Sequence, residues 1–167
     1  LDLGVEWKGI DFSMFWQGVA KRDLWLDGLM FWGISGGEWQ STGLKEHLDY
    51  YRPENTTSVF GPNTNAYFPK MYMSKDMNQK VQTRYLQNGA YARLKNIQLG
   101  YTVPTQIINK LHMQKLRVYV SAENVLTITS LPSGFDPETT YSSYSDGNSG
   151  KTYPLQTTIS FGLNATF

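Results

Sequence analysis

Along the first sixteen residues apolar side chains fall on every second position. Leu1, Leu3, Val5 and Trp7 alternate with Asp2, Gly4, Glu6 and Lys8, and after Gly9 the beat resumes with Ile10, Phe12, Met14 and Trp16. A period of two predicts strands with one apolar and one polar face, and Gly9 between the runs predicts a tight hairpin turn. From about Lys21 to Arg84 the beat disappears, and "GISGGEWQSTG", "RPENTT" and "FGPNTNAYFP" follow one another. Ordinary connections are about 4 to 6 residues, so a stretch of this length is a functional loop or a disordered one. Its Trp and Tyr content predicts an ordered loop.

Periodicity returns after "NGAY". Tyr91 to Tyr101 reads as a strand with Ile97, Leu99 and Tyr101 on one face, but strict alternation also puts Arg93 and Lys95 on that face and Leu94 on the other. Pro104 ends the strand, and "TQIINKL" predicts a short helical turn. Leu116, Val118, Val120 and Ala122 then alternate with Arg117, Tyr119, Ser121 and Glu123. A second loop from about Thr129 to Thr152 leads to a final strand, Tyr153 to Phe167, in which Ile159, Phe161, Leu163, Ala165 and Phe167 share a face.

The expected fold is all-β, with five antiparallel strands. Short turns at Lys8 to Ile10 and Pro104 to Lys115, with long loops at about Lys21 to Arg84 and Thr129 to Thr152, put every long loop at one end of the sheet. That is the asymmetry of an outer-membrane β-barrel, and Trp7, Tyr101 and Phe167 fall at the short-turn rim, where an aromatic girdle belongs. An open five-stranded sheet would leave bare edge amides in lipid, each costing several kcal/mol, so the strands are expected to complete a larger closed transmembrane β-barrel.

Composition narrows the chemistry. Fifteen Lys and Arg against 14 Asp and Glu leave a formal charge of +1, which gives no footprint for nucleic acid. Aromatic residues make up 14% of the chain and favour strands. There is no cysteine, hence no disulfide, thiolate metal site or cysteine nucleophile. "LDLGVEWKGIDF" lacks the basic start and apolar core of a signal peptide and reads as strand. No G-x-S-x-G or phosphate-loop motif is present, no cofactor is implied, and the chain is not expected to be an enzyme.

The wording of the strands carries more. "NGAYARLKNIQLGYTVP", "LRVYVSAENVLTIT", "FDPE" and "YPLQTTISFGLNATF" resemble, in that order and spacing, the C-terminal end of the SusC/RagA-like TonB-linked outer-membrane proteins of Bacteroidetes. "GIDFSMFWQGVAKRD" and "HLDYYRPENTTSVFGP" resemble earlier parts of the same pattern, so the likeness spans essentially the whole chain. The resemblance implies that residues 1–167 are the last five strands of a barrel of about 22 strands. It further implies a lumen plug and a TonB-contacting segment outside this chain, a SusD-like surface lipoprotein partner, and import of oligosaccharides or peptides across the outer membrane.

Candidate site residues follow. Trp25, Trp32 and Trp39, with Phe31, could stack on sugar rings or pack within the loop and against a partner. Asp136, Glu138 and Asp146 could offer oxygens to calcium but lack a calcium loop's spacing, and a turn capped by Asp136 with Pro137 fixing φ is the alternative. Arg93, Arg117 and Glu123 are candidate lumen-facing charges that touch the plug or pair within the barrel wall. His47 and His112 have no ligand-spaced partner, so no metal site is expected. A strand ending on an aromatic resembles the signal read by the outer-membrane assembly machinery, which assigns that role to Phe161 and Phe167. The rival reading is a secreted or surface carbohydrate-binding β-sandwich with Trp-rich loops.

Overall fold

The computed structural model describes residues 1–33, 43–72, 77–109, 112–140 and 152–167. Its elements are β1 (Asp2–Trp7), β2 (Ile10–Val19), β3 (Asp23–Leu24), a short helix α1 (Leu29–Trp32), β4 (Gln87–Asn88), β5 (Tyr91–Thr102), α2 (Thr105–Ile108), β6 (Lys115–Thr129) and β7 (Thr158–Thr166). Three single turns of 3-10 helix, Lys45–Leu48, Met77–Gln79 and Thr83–Tyr85, interrupt the first long loop. The chain divides into two compact units: Leu1–Arg22 with Gly89–Ser130 and Leu155–Phe167, and Asp23–Asn88 with Leu131–Pro154.

The first unit is an antiparallel sheet in the order β1-β2-β5-β6-β7. The β1–β2 turn holds Lys8 and Gly9 at φ 47° and 86°. Two consecutive left-handed residues are what a two-residue hairpin of this twist requires, and they bring Trp7 opposite Ile10. Pro104 opens α2 as expected, its carbonyl accepting from Ile107 at 3.0 Å. The last strand is shorter than the alternation predicts. It begins at Thr158 opposite Glu123, and residues 152–157 run outside the ladder. Pro154 has no amide hydrogen to give such a ladder.

The ambiguous register at Arg93 is resolved by a β-bulge. Asn96 lies opposite Phe15 and Glu123, whereas Leu94 lies opposite Trp16 and Leu126, so Lys95 is skipped on one side and Asn124 and Val125 on the other. Asn124 takes φ 52°, a left-handed conformation that Asn tolerates better than most residues. The inserted residue shifts the alternation by one place. Paired residues point to the same side of a sheet, so Leu94 joins Ile97, Leu99 and Tyr101, and Arg93 moves to the other side. The strict-alternation assignment of Arg93 and Lys95 to the apolar face is thereby corrected.

One face of the sheet is consequently apolar across all five strands. It carries Val5, Phe12, Leu99, Val120 and Phe161 in a single cross-strand row, with comparable rows above and below. Much of this face is uncovered: Trp7 is 64% exposed and Phe161 84%. In a sandwich a second sheet would cover it; among the described residues the other sheet is only the two-residue pair β3–β4.

The second unit has its own core. Leu24, Leu26, Phe31, Trp32, Phe68 and Tyr85 from the first long loop close on Leu131 and Phe135 from the second. Burying each such side chain is worth roughly 1.5–3 kcal/mol, which orders backbone that no strand ladder holds. The described residues of the first loop are therefore held through packing, and β3 and β4 pinch its two ends together, Asp23 opposite Asn88.

Candidate functional site

The polar face of the sheet is built over glycines. Arg117 on β6 reaches across β5 to Asp11 on β2, donating from Nε to Oδ1 at 2.9 Å and from Nη2 to Oδ2 at 2.5 Å. The side chains meet directly above Gly100, where a Cβ would sit 2.4 Å from Asp11 Oδ1 and 2.5 Å from Arg117 Nη2. The guanidinium also lies 4.8 Å from the centre of the Tyr119 ring, which in turn lies on Gly162 of β7. Aspartate, arginine and tyrosine so form a transverse belt tying β2, β5, β6 and β7 together, with planar bidentate geometry that a lysine could not reproduce.

Arg93 is 2% exposed and donates from Nε to Thr127 Oγ1 at 2.7 Å, its cross-strand neighbour on the polar side. Glu123 is on the same face, opposite Asn96 and Thr158. The three charges singled out from sequence thus share the polar face, and Arg117 is paired with Asp11.

In the second unit Trp32 is 4% exposed. Phe31, Phe68 and Tyr85 meet it edge-on at centroid distances of 5.1, 6.4 and 4.9 Å, and Trp25 is tilted against it at 5.8 Å. Packing, the alternative to stacking on a ligand, describes where Trp32 sits. Trp39 and Asp146 lie outside the described residues.

His47, which has no ligand-spaced partner in the sequence, is a buried structural group. Its Nδ1 accepts from the Leu44 amide at 2.8 Å and its Nε2 is 3.0 Å from the Phe31 carbonyl, which fixes the tautomer with the proton on Nε2. Gly33, at φ 74°, passes so close that a Cβ would be 2.8 Å from Nδ1. Arg52 is equally structural, donating to the carbonyls of Gly61 and Leu48 at 2.6 and 2.8 Å. Sequence spacing gave no sign of either role, since both partners are main-chain groups. Asp136 caps its own turn as the alternative expected, Oδ1 accepting from the Glu138 amide at 2.8 Å. Among the described residues no three carboxylates or histidines cluster to hold a metal.

No family model matches the chain. It is 28% identical over 98% of its length to TonB-dependent receptor P3 of Formosa agariphila, and 25% identical over 98% to TonB-dependent receptor P26 of the same organism. Its structure superposes on a chain of the RagAB peptide transporter with a TM-score of 0.70 and 27% identity over 99% of its residues. The chain is homologous to the TonB-dependent receptors. It spans only 15% of the length of receptor P3 and 17% of the RagAB chain. TonB-dependent receptors are outer-membrane proteins, and the sheet corresponds to part of such a structure; the five strands by themselves remain an open sheet with β1 and β7 at its edges.

Proposed function

We propose that residues 1–167 form the C-terminal part of a closed outer-membrane barrel of about 22 strands. The complete receptor imports oligosaccharides or peptides with energy delivered through TonB, beneath a SusD-like surface lipoprotein. The observation that carries this reading is the apolar face, which runs unbroken over five strands because the bulge at Lys95 restores its phase. An exposed apolar surface of that extent is stable only against lipid or another apolar layer. The polar face, with Arg93, Arg117 and Glu123, then lines the lumen and meets the plug. The unit formed by the long loops stands on the extracellular side, and Phe161 and Phe167 serve strand pairing during assembly.

The test uses the absence of cysteine in this chain. In cells producing the full receptor with any cysteine outside this chain replaced by serine, Val59→Cys in the first long loop and Gln106→Cys in α2 are treated with a membrane-impermeant maleimide. Labelling of Val59→Cys on intact cells, with Gln106→Cys reached only after lysis, is the expected result; the reverse, or recovery of the receptor in a soluble fraction, refutes the reading. Uptake must also stop when TonB is deleted.

A further inference from the structure

Alternation fixes which side each residue of β7 occupies, but it leaves the height of the strand open. In the observed register Val118, Val120 and Ala122 lie opposite Leu163, Phe161 and Ile159. Slipping β7 by one residue would turn its apolar side chains to the polar face. Slipping it by two would not. Val118, Val120 and Ala122 would then meet Ala165, Leu163 and Phe161; slipped the other way, Leu116, Val118 and Val120 would meet Leu163, Phe161 and Ile159, apolar on apolar each time. Because β7 is also an edge of the sheet, no strand on its far side holds it among the described residues. Its register against β6 needs another determinant.

That determinant lies on the polar face. Thr158, Ser160, Asn164 and Thr166 each put a Cβ there, and Gly162 does not. Gly162 lies opposite Tyr119, whose ring fills the space that a Cβ would take, with Cζ, Cε1 and the hydroxyl nearest to it. The ring is not free to yield. The Arg117 guanidinium stands over it, 4.8 Å from its centre, and is itself tethered to Asp11 by two hydrogen bonds above Gly100. With β7 moved by two residues, Ser160 or Asn164 would come opposite Tyr119 and drive its own Cβ into the ring. Of the registers that satisfy the apolar face, only the observed one has room for Tyr119.

We propose that Tyr119 and Gly162 form a register lock, braced by Arg117 and Asp11, that sets the height at which the free edge of β7 meets the strand closing the barrel. The proposal rests on the barrel reading above, in which that strand belongs to the same receptor. Pairing at such a seam uses main-chain N–H and C=O groups, which are alike at every residue and cannot choose a height for themselves. A slip of two residues displaces the whole row by about 7 Å, and the closing ladder would then form out of step.

Disulfide trapping reads the register directly. Residues directly opposite on paired strands have Cβ atoms about 4.5–5.5 Å apart, and those two places off about 7–8 Å, beyond a disulfide's reach. In the full receptor with any other cysteine replaced by serine, Val118→Cys is combined either with Leu163→Cys, which reports the observed register, or with Ala165→Cys, which reports the slip. Gel mobility before and after heating measures the closed barrel. Without further change the Leu163 reporter should crosslink and the Ala165 reporter should not. Moving the glycine, by Gly162→Asn together with Asn164→Gly, should transfer the crosslink to the Ala165 reporter and lower the amount of closed barrel severalfold. Adding Tyr119→Ala to that exchange removes the ring and should restore both the Leu163 crosslink and the closed barrel, including where the exchanged receptor fails to assemble at all. A crosslink that stays with the Leu163 reporter after the exchange, or a closed barrel that Tyr119→Ala does not restore, overturns the lock. Transfer of the crosslink with an undiminished amount of closed barrel overturns its role at the seam. A receptor that passes the maleimide and TonB tests and fails here keeps the import reading and loses the lock; one that fails those tests loses the barrel reading itself.

Discussion

A cation placed at different heights on the apolar face should report the bilayer directly. From Val118 to Ile128 is ten residues of β6, about 34 Å of strand at ~3.4 Å per residue, and a tilt of about 40° reduces this to about 26 Å of height. That equals the apolar band of about 25 Å expected of an outer-membrane barrel. Ala122, flanked by Ile97 and Ile159, falls near the middle, Ile128 falls near the outer boundary, and Ser121 is on the opposite face. Ala122→Arg should therefore cost about 2–4 kcal/mol and Ile128→Arg about 0–1 kcal/mol. Ser121→Arg, on the polar face, should cost least. Urea titration of the full receptor refolded into lipid vesicles, followed by the gel shift between folded and heated protein, measures all three. Equal costs at Ala122 and Ile128, or a larger cost at Ser121, would show that the apolar face does not meet lipid.

Three further outcomes are expected. Gly100→Ala drives a methyl between Asp11 and Arg117 and should destabilise the sheet by about 1–3 kcal/mol, the usual range for overpacking, read from the urea midpoint; an unchanged midpoint would mean that the belt is not held there. His47→Leu orphans the Leu44 amide and the Phe31 carbonyl, at about 1–3 kcal/mol for each buried group, and should raise the rate at which trypsin cuts the long loops of the intact receptor while leaving the strands protected. Phe167→Asp should lower the amount of assembled receptor far more than uptake per assembled copy; normal assembly would show that Phe167 is not a recognition signal.

The sheet was legible because its determinants are local. Alternation at Ile10, Phe12 and Met14, or at Val118, Val120 and Ala122, states which side each residue occupies, and the lengths between such runs state which ends are joined by short turns. The conflict at Arg93 was legible as a conflict only. A period of two can reveal that the phase breaks but not which residue is inserted, because that depends on Lys95 and Asn124 in two strands at once. The loop core left no periodic trace. Leu26, Trp32 and Phe135 come together from distant positions through irregular backbone, and His47 and Arg52 bind carbonyls and amides, groups that every residue possesses.

The core of the second unit draws Leu131 and Phe135 from one loop and its remaining members from another, with β5 and β6 intervening in the chain. Among the described residues neither loop encloses a core alone, so the two cannot diversify independently. A new ligand preference acquired by grafting only the longer loop from a related receptor would arrive without the floor on which it rests. Such grafts should succeed when both loops are transferred as a matched pair, and natural variation in the one should be correlated with variation in the other.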